Sequence, residues 1–214
     1  MTDQQHLDAL TDIRRIMERS SRFISLSGLS GISAGICALI GAAIARYWLV
    51  AYYAKWNETR TYNGQDYAML KVRLLTLAAA VLVAALSGGF FFTWRRSKQN
   101  NLPVWNVTSR KVLINTAIPL VAGGIFILGL MYNGIEALVS PSCLVFYGLA
   151  LINGSKYTLP DVRYLGITET MLGLLNLFFL RQGLYFWAIG FGVLHIIYGA
   201  LMWWKYERKA SIQS

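Results

Sequence analysis

The sequence predicts an all-α fold, a polytopic transmembrane helical bundle, and three observations predict it. Of the 214 residues, 56% are hydrophobic and 14% charged. The mean hydropathy of +0.45 is well above that of a soluble domain. Apolar runs close to the ~20 residues that cross a bilayer recur along the whole length, with charge collected between them. A soluble fold would break such runs with polar residues at helical or strand period.

The N-terminal segment, residues 1–22, reads as cytoplasmic and amphipathic. Within it, residues 4–20 form a helix whose apolar face is Leu7, Leu10, Ile13, Ile16 and Met17. Such a helix anchors on the membrane surface or meets a cytoplasmic protein partner. Asp3, Asp8, Asp12 and Glu18 mixed with arginines, before an overlong apolar run, argue against a cleaved signal peptide.

Residues 23–206 read as the transmembrane domain and 207–214 as a cytoplasmic tail. Six spans are expected, at 24–46, 70–93, 112–132, 135–153, 163–181 and 183–204. Ser140 and Pro141 interrupt the fourth and Glu169 the fifth. Pro119 and Pro141 are expected to kink the third and fourth. A weak repeat relates "GGIFILGLMYNG" to "LGLLNLFFLRQG", pairing Gly134 with Gly183, and "FYGLAL" to "IYGALM". It makes spans three–four and five–six two copies of one hairpin, so six spans become three helical hairpins.

Charge sets the expected orientation. With the N-terminus inside, the cytoplasmic side carries 14 of the 20 basic residues and the other side 6. The stretch "WRRSKQNNLPVWNVTSRK" alone holds five and no acid. Both termini are therefore placed in the cytoplasm. The net charge of +10 is explained by this bias, and no separate basic domain offers a nucleic-acid surface. The loop from Tyr47 to Tyr67 carries seven Tyr and Trp residues, read as an interfacial aromatic belt.

Small residues are expected to pack the bundle, because lipid supplies no hydrophobic drive between helices. Ser27, Gly31 and Gly35 stand four apart on the first span, and Ala34, Ala38 and Ala42 form a second stripe. Gly192 and Gly199 line the sixth. The first stripe serves packing within the chain or a homo-oligomer.

Two ionisable residues lie deep in the spans, Glu169 and His195. Glu169 shares a face with Gly166, Gly173 and Asn176, and His195 with Ala188, Gly192 and Gly199. At ~1.5 Å per residue they lie roughly 9 and 14 Å from the cytoplasmic end on antiparallel neighbours. A facing pair is expected, acting as an interhelical hydrogen bond or, with Asn176, as an intramembrane polar or proton site. Glu136 is expected to be solvated near the outer surface.

Other chemistry lacks residues. His6 and His195 are the two histidines, too few for a bis-His haem site or an oxygenase iron site within the membrane. No Cys or carboxylate cluster accompanies His195, so no metal site is expected. Cys37 and Cys143 lie singly in apolar runs and read as small buried side chains. No catalytic residue set and no cofactor motif is present.

The segments "IMERSSRFISLSGLSGISAGICALIGA", "FYGLALINGSKYTLPDVRYLGITETMLGLLNLF" and "FWAIGFGVLHIIYG" together resemble an uncharacterised family of small bacterial six-helix inner-membrane proteins. The resemblance spans most of the chain apart from the loop near residues 47–70. It implies a multi-pass protein of the bacterial inner (cytoplasmic) membrane. A carotene-oxygenase label attached to some members does not fit two histidines. The hairpin layout also resembles six-helix acid-resistance membrane proteins, a likeness of layout that does not give function.

Two functions from different classes follow. One is a non-enzymatic membrane protein with a structural, regulatory or stress-related role, acting through a partner or its own copies. The other is a small-solute or proton-coupled transporter using Glu169 and His195.

Overall fold

The computed structural model describes residues 26–59, 64–100 and 103–208. The amphipathic segment 4–20 and the tail beyond Arg208 lie outside the described residues. The described residues are helical, without strands: α1 (Gly28–Thr59), α2 (Gly64–Gln99), α3 (Val107–Tyr132), α4 (Val139–Gly154), α5 (Pro160–Asn176), α6 (Gly183–Trp187) and α7 (His195–Trp203). A π-helical turn, Ala188–Leu194, joins α6 to α7, and a second, Trp204–Arg208, follows α7. Five stretches are long and apolar enough to cross a membrane: Gly28–Glu58, Gly64–Gln99, Val107–Tyr132, Glu136–Tyr157 and Leu180–Arg208. By length and composition these helices suit an integral membrane protein.

The helices depart from the expected spans at their ends. The first does not stop at 46, and the second begins before 70 and runs past 93. α1 has 32 residues and α2 has 36, so each runs to about 48–54 Å, well beyond ~30 Å of hydrocarbon. Hydropathy ends where charge begins, but a helix satisfies its own backbone in water too. No proline interrupts either helix. Most of the expected Tyr47–Tyr67 loop is accordingly helix, with Tyr52 stacked edge-on to Tyr53 at 5.5 Å and tilted against Tyr67 at 6.2 Å.

α5 falls short instead. It has 17 residues, about 25 Å, and ends at Asn176 rather than continuing to Arg181. The Asn176 side-chain amide donates to the Phe179 carbonyl at 3.1 Å, and the Leu177 and Phe178 amides fold back onto Leu174 and Leu175. These bonds close the turn that starts a short 3-10 helix, Leu180–Gln182. A matching 3-10 helix, Glu136–Leu138, precedes α4. The expected pairing of Gly134 with Gly183 joins unlike positions. Gly134 adopts φ +72°, a left-handed turn conformation, whereas Gly183 opens α6 in right-handed helical geometry at φ −50°.

The two prolines sit in different helical settings. Pro141 sits at the third position of α4, where a backbone N–H would have no helical partner anyway. Pro119 lies inside α3 and removes the donor that would meet the Asn115 carbonyl. Asn153 on α4 supplies one from its side-chain amide, at 2.8 Å. The start of α3 is closed by a capping box, Asn106 Oδ1 accepting from the Ser109 amide at 2.7 Å and Ser109 Oγ from the Asn106 amide at 2.8 Å.

Small residues set which helices touch. α1 packs along α6, the π turn and α7. A Cβ on Gly31 would lie 3.2 Å from the Gly199 Cα and the His195 carbonyl, and one on Gly35 would lie 2.6 Å from the Gly192 carbonyl. Ser27, also buried, donates to Glu207 at 3.2 Å. The Ser27–Gly31–Gly35 stripe is thus filled within the chain. α4 and α5 form a second close pair, where a Cβ on Gly166 would come 2.7 Å from the Gly148 carbonyl. α5 and the C-terminal helix therefore each find their main neighbour outside their own hairpin. The faces of α2 and α3 carrying Leu82, Val83, Leu86, Ile118, Val121 and Ile125 are exposed, as lipid-facing surfaces are.

The second π turn fastens one end of the bundle. Glu207 accepts from the Gly28 amide at 2.6 Å, where the N-terminus of α1 presents its unpaired N–H groups, and from Arg96 at 3.2 Å. Arg96 also donates to the Leu26 carbonyl. Next to it, Tyr206 and Lys205 donate to Asp161 at the head of α5, at 2.6 and 3.1 Å.

Candidate functional site

Glu169 and His195 meet where α5 crosses the π turn. The nearest approach is His195 Nδ1 to Glu169 Oε1, 3.4 Å. Glu169 is fully buried and His195 is 6% exposed. Their approach depends on glycine at 190, since a Cβ there would lie 2.5 Å from Glu169 Oε2. Asn176 is also fully buried, two turns along α5, but its amide serves the Phe179 turn and it is not joined to the pair by any hydrogen bond.

The ring of His195 is held at both nitrogens. Nδ1 lies 3.0 Å from the Gly190 carbonyl and Nε2 2.7 Å from the Tyr147 hydroxyl on α4. A carbonyl only accepts, so Nδ1 carries the proton. In the neutral ring Tyr147 then donates to Nε2. In the charged ring Nε2–H donates to the Tyr147 oxygen, and the hydroxyl rotates. The two states use the same heavy-atom positions, so His195 can gain or lose a proton at Nε2 without the helices moving.

Glu169 is held by packing and not by hydrogen bonds. Both its carboxyl oxygens are buried without a hydrogen-bond partner, as is Asn176 Oδ1. A lone buried carboxylate is expensive in an apolar medium, so the carboxyl is neutral or balanced by the imidazolium 3.4 Å away. Either the pair holds one proton on the carboxyl, or the same net charge is kept with the proton on Nε2.

An aromatic line runs from the pair to a cavity. Phe191 lies 6.0 Å from His195, 4.9 Å from Tyr147 and 5.1 Å from Trp187, centroid to centroid. Trp187, with Cys143 and Ser140, forms part of the wall of a cavity of about 840 Å³ between α1, α2, α4 and α6. Its other walls are apolar and its rim carries Lys71, Glu136 and Arg181. Glu136 is not merely solvated, since Lys71 bonds it at 2.8 Å. Among the described residues no three His, Cys, Asp or Glu side chains converge as metal ligands, and Cys37 and Cys143 are both free.

Comparison of this chain with family models, curated proteins and solved structures finds no match. The functional reading therefore rests on the site itself.

The sequence singled out Glu169, Asn176 and His195 but missed Tyr147 and Gly190. A signal for Tyr147 existed: a tyrosine hydroxyl in mid-span needs a buried partner. Nothing marked Gly190 apart from its neighbours. Its role arises from the π turn, and such turns are enriched at functional sites.

Proposed function

We infer that this integral membrane protein is a proton-linked carrier of a small solute, with Glu169, His195 and Tyr147 as its proton site. The observation that carries the reading is Glu169: two buried carboxyl oxygens without a hydrogen-bond partner, 3.4 Å from a histidine. A carboxyl kept only for packing would be better replaced by an apolar residue or satisfied by donors. The aromatic line from Trp187 to His195 supports a link between the cavity and that site. The other reading, a structural, regulatory or stress-related role through a partner or self-association, drew on the amphipathic segment 4–20, which lies outside the described residues, on the lack of a catalytic set and on the small-residue stripe of α1. Gly31 and Gly35 spend that stripe on Gly199 and Gly192 of the same chain.

In this reading α5 is a sixth crossing, short enough to reach both interfaces only with its flanking turns. Both termini lie in the cytoplasm, supported by the 14-to-6 distribution of basic residues, and the membrane is the bacterial inner membrane.

The test is proton flux. Purified protein reconstituted in liposomes, with a pH-sensitive dye inside, should move protons when candidate solutes are added on one side. Glu169→Gln and His195→Gln should each abolish that movement while the protein still elutes as a folded species. Solute-driven flux unchanged in both variants would overturn the reading.

A further inference from the structure

The cavity has a chemistry of its own, set by residues other than Glu169 and His195. Its long wall is α2 from Lys71 to Val81, ten helical steps or about 15 Å, wholly apolar beyond Lys71 on the lining positions Leu74, Leu77 and Ala78. The facing wall is α1, where Gly41, Ala42 and Ala45 carry little side chain; Gly41 packs directly against Val81, and Leu49 and Tyr53 continue the wall. The result is an elongated apolar slot of about 840 Å³, inside the range of roughly 300–1,000 Å³ of small-molecule sites.

Charge is confined to one end. Lys71 and Glu136 neutralise each other at 2.8 Å. Arg181, on the 3-10 helix before α6, lines the same end and has no acidic partner among the described residues. The rim is thus net positive by one guanidinium, which binds carboxylate or phosphate oxygens in a fixed fork.

We propose that this cavity binds a single-chain anionic phospholipid, a lysophospholipid, with its acyl chain against Leu74–Val81 and its phosphate on Arg181. The slot takes one chain along its length, and the charge at one end selects the head. Neither feature requires Glu169 or His195, so the proposal stands or falls apart from the proton-linked reading.

The test uses the full chain in a neutral maltoside detergent, titrated with three probes and read by native mass spectrometry. Lysophosphatidylglycerol should bind at least tenfold tighter than lysophosphatidylcholine of the same chain, and glycerol phosphate should not bind. Arg181→Gln should bring the two lysolipids to equal affinity. Ala78→Phe, at an exposed position on the cavity wall, should block both without unfolding the helix. Glu169→Gln should leave all of this unchanged. Equal affinity for the two lysolipids in the unaltered protein, binding of the head alone, or full binding in Ala78→Phe would each overturn the proposal.

Discussion

Gly190 makes room for Glu169: a single added carbon at Gly190 would sit 2.5 Å from Glu169 Oε2, well inside van der Waals contact. The wall beside a buried carboxyl is therefore bare backbone, and the same glycine offers its carbonyl to His195 Nδ1 at 3.0 Å. One residue positions both partners.

Gly190→Ala tests this double role. The methyl group must displace Glu169 and Leu144 or push the π turn from α4 and α5, an overpacking that costs about 1–3 kcal/mol. Thermal unfolding in detergent should show that loss, and proton flux should fall with it. In Gly190→Ala combined with Glu169→Ala, the clash with the carboxyl is removed and the one with Leu144 remains. Stability should return in part while flux stays absent. A Gly190→Ala protein as stable and as active as the unaltered one would contradict the arrangement.

Asn153 and Pro119 form a second testable couple. Asn153 donates to the carbonyl that Pro119 leaves unpaired on α3. Asn153→Ala should destabilise the protein by about 1–2 kcal/mol, the effect of exposing a buried carbonyl without a donor. In a Pro119→Ala background the residue at 119 supplies its own N–H, and the same Asn153 change should have a much smaller effect. Equal effects in the two backgrounds, measured as a double-mutant cycle, would show that the bond does not compensate the proline.

Asp161 gives a pH dependence with a definite sign. It stands at the head of α5, outside the apolar part of the helix. Partial burial raises its pKa, but hydrogen bonds from Tyr206 and Lys205 outweigh that and hold the carboxyl below its ordinary value. A lowered carboxyl pKa stabilises the fold fully above the unfolded value of about 3.9, and the contribution is lost as pH falls through the folded value. The difference in Tm between the unaltered protein and Asp161→Asn should thus be largest near neutral pH and shrink in acid. A difference that stays constant down to about pH 3 would remove Asp161 from the account.

Much of this was legible in the sequence, for physical reasons that also mark where legibility stopped. The membrane class follows from apolar runs whose length is set by the bilayer, and Gly31, Gly35, Gly192 and Gly199 follow from the need for close packing where lipid competes equally. Glu169 and His195 stood out because ionisable groups are rare at such depth. Helix ends were not legible from hydropathy. The chain from residue 46 onward stays helical to Thr59 although Arg46, Lys55 and Glu58 bring charge to it, and α5 stops at Asn176 although Leu177, Phe178 and Phe179 are apolar. Hydropathy reports the surroundings of a segment, whereas the Asn176 amide and the turn it closes decide where the helix ends. The spatial order of helices was also hidden, because which glycine faces which is settled by contacts between distant segments. Tyr147, Asn153 and Glu207 each act on a partner more than thirty residues away in the sequence.

The central claim is that Glu169 carries an exchangeable proton while buried beside His195. Infrared difference spectroscopy of the reconstituted protein, stepped through pH, reads that proton directly as the stretching band of a protonated carboxyl group. One such band from the apolar interior should appear and disappear with pH, be absent in Glu169→Gln, and shift its midpoint in His195→Gln. A difference spectrum with no buried-carboxyl band, or one unchanged in Glu169→Gln, would contradict it.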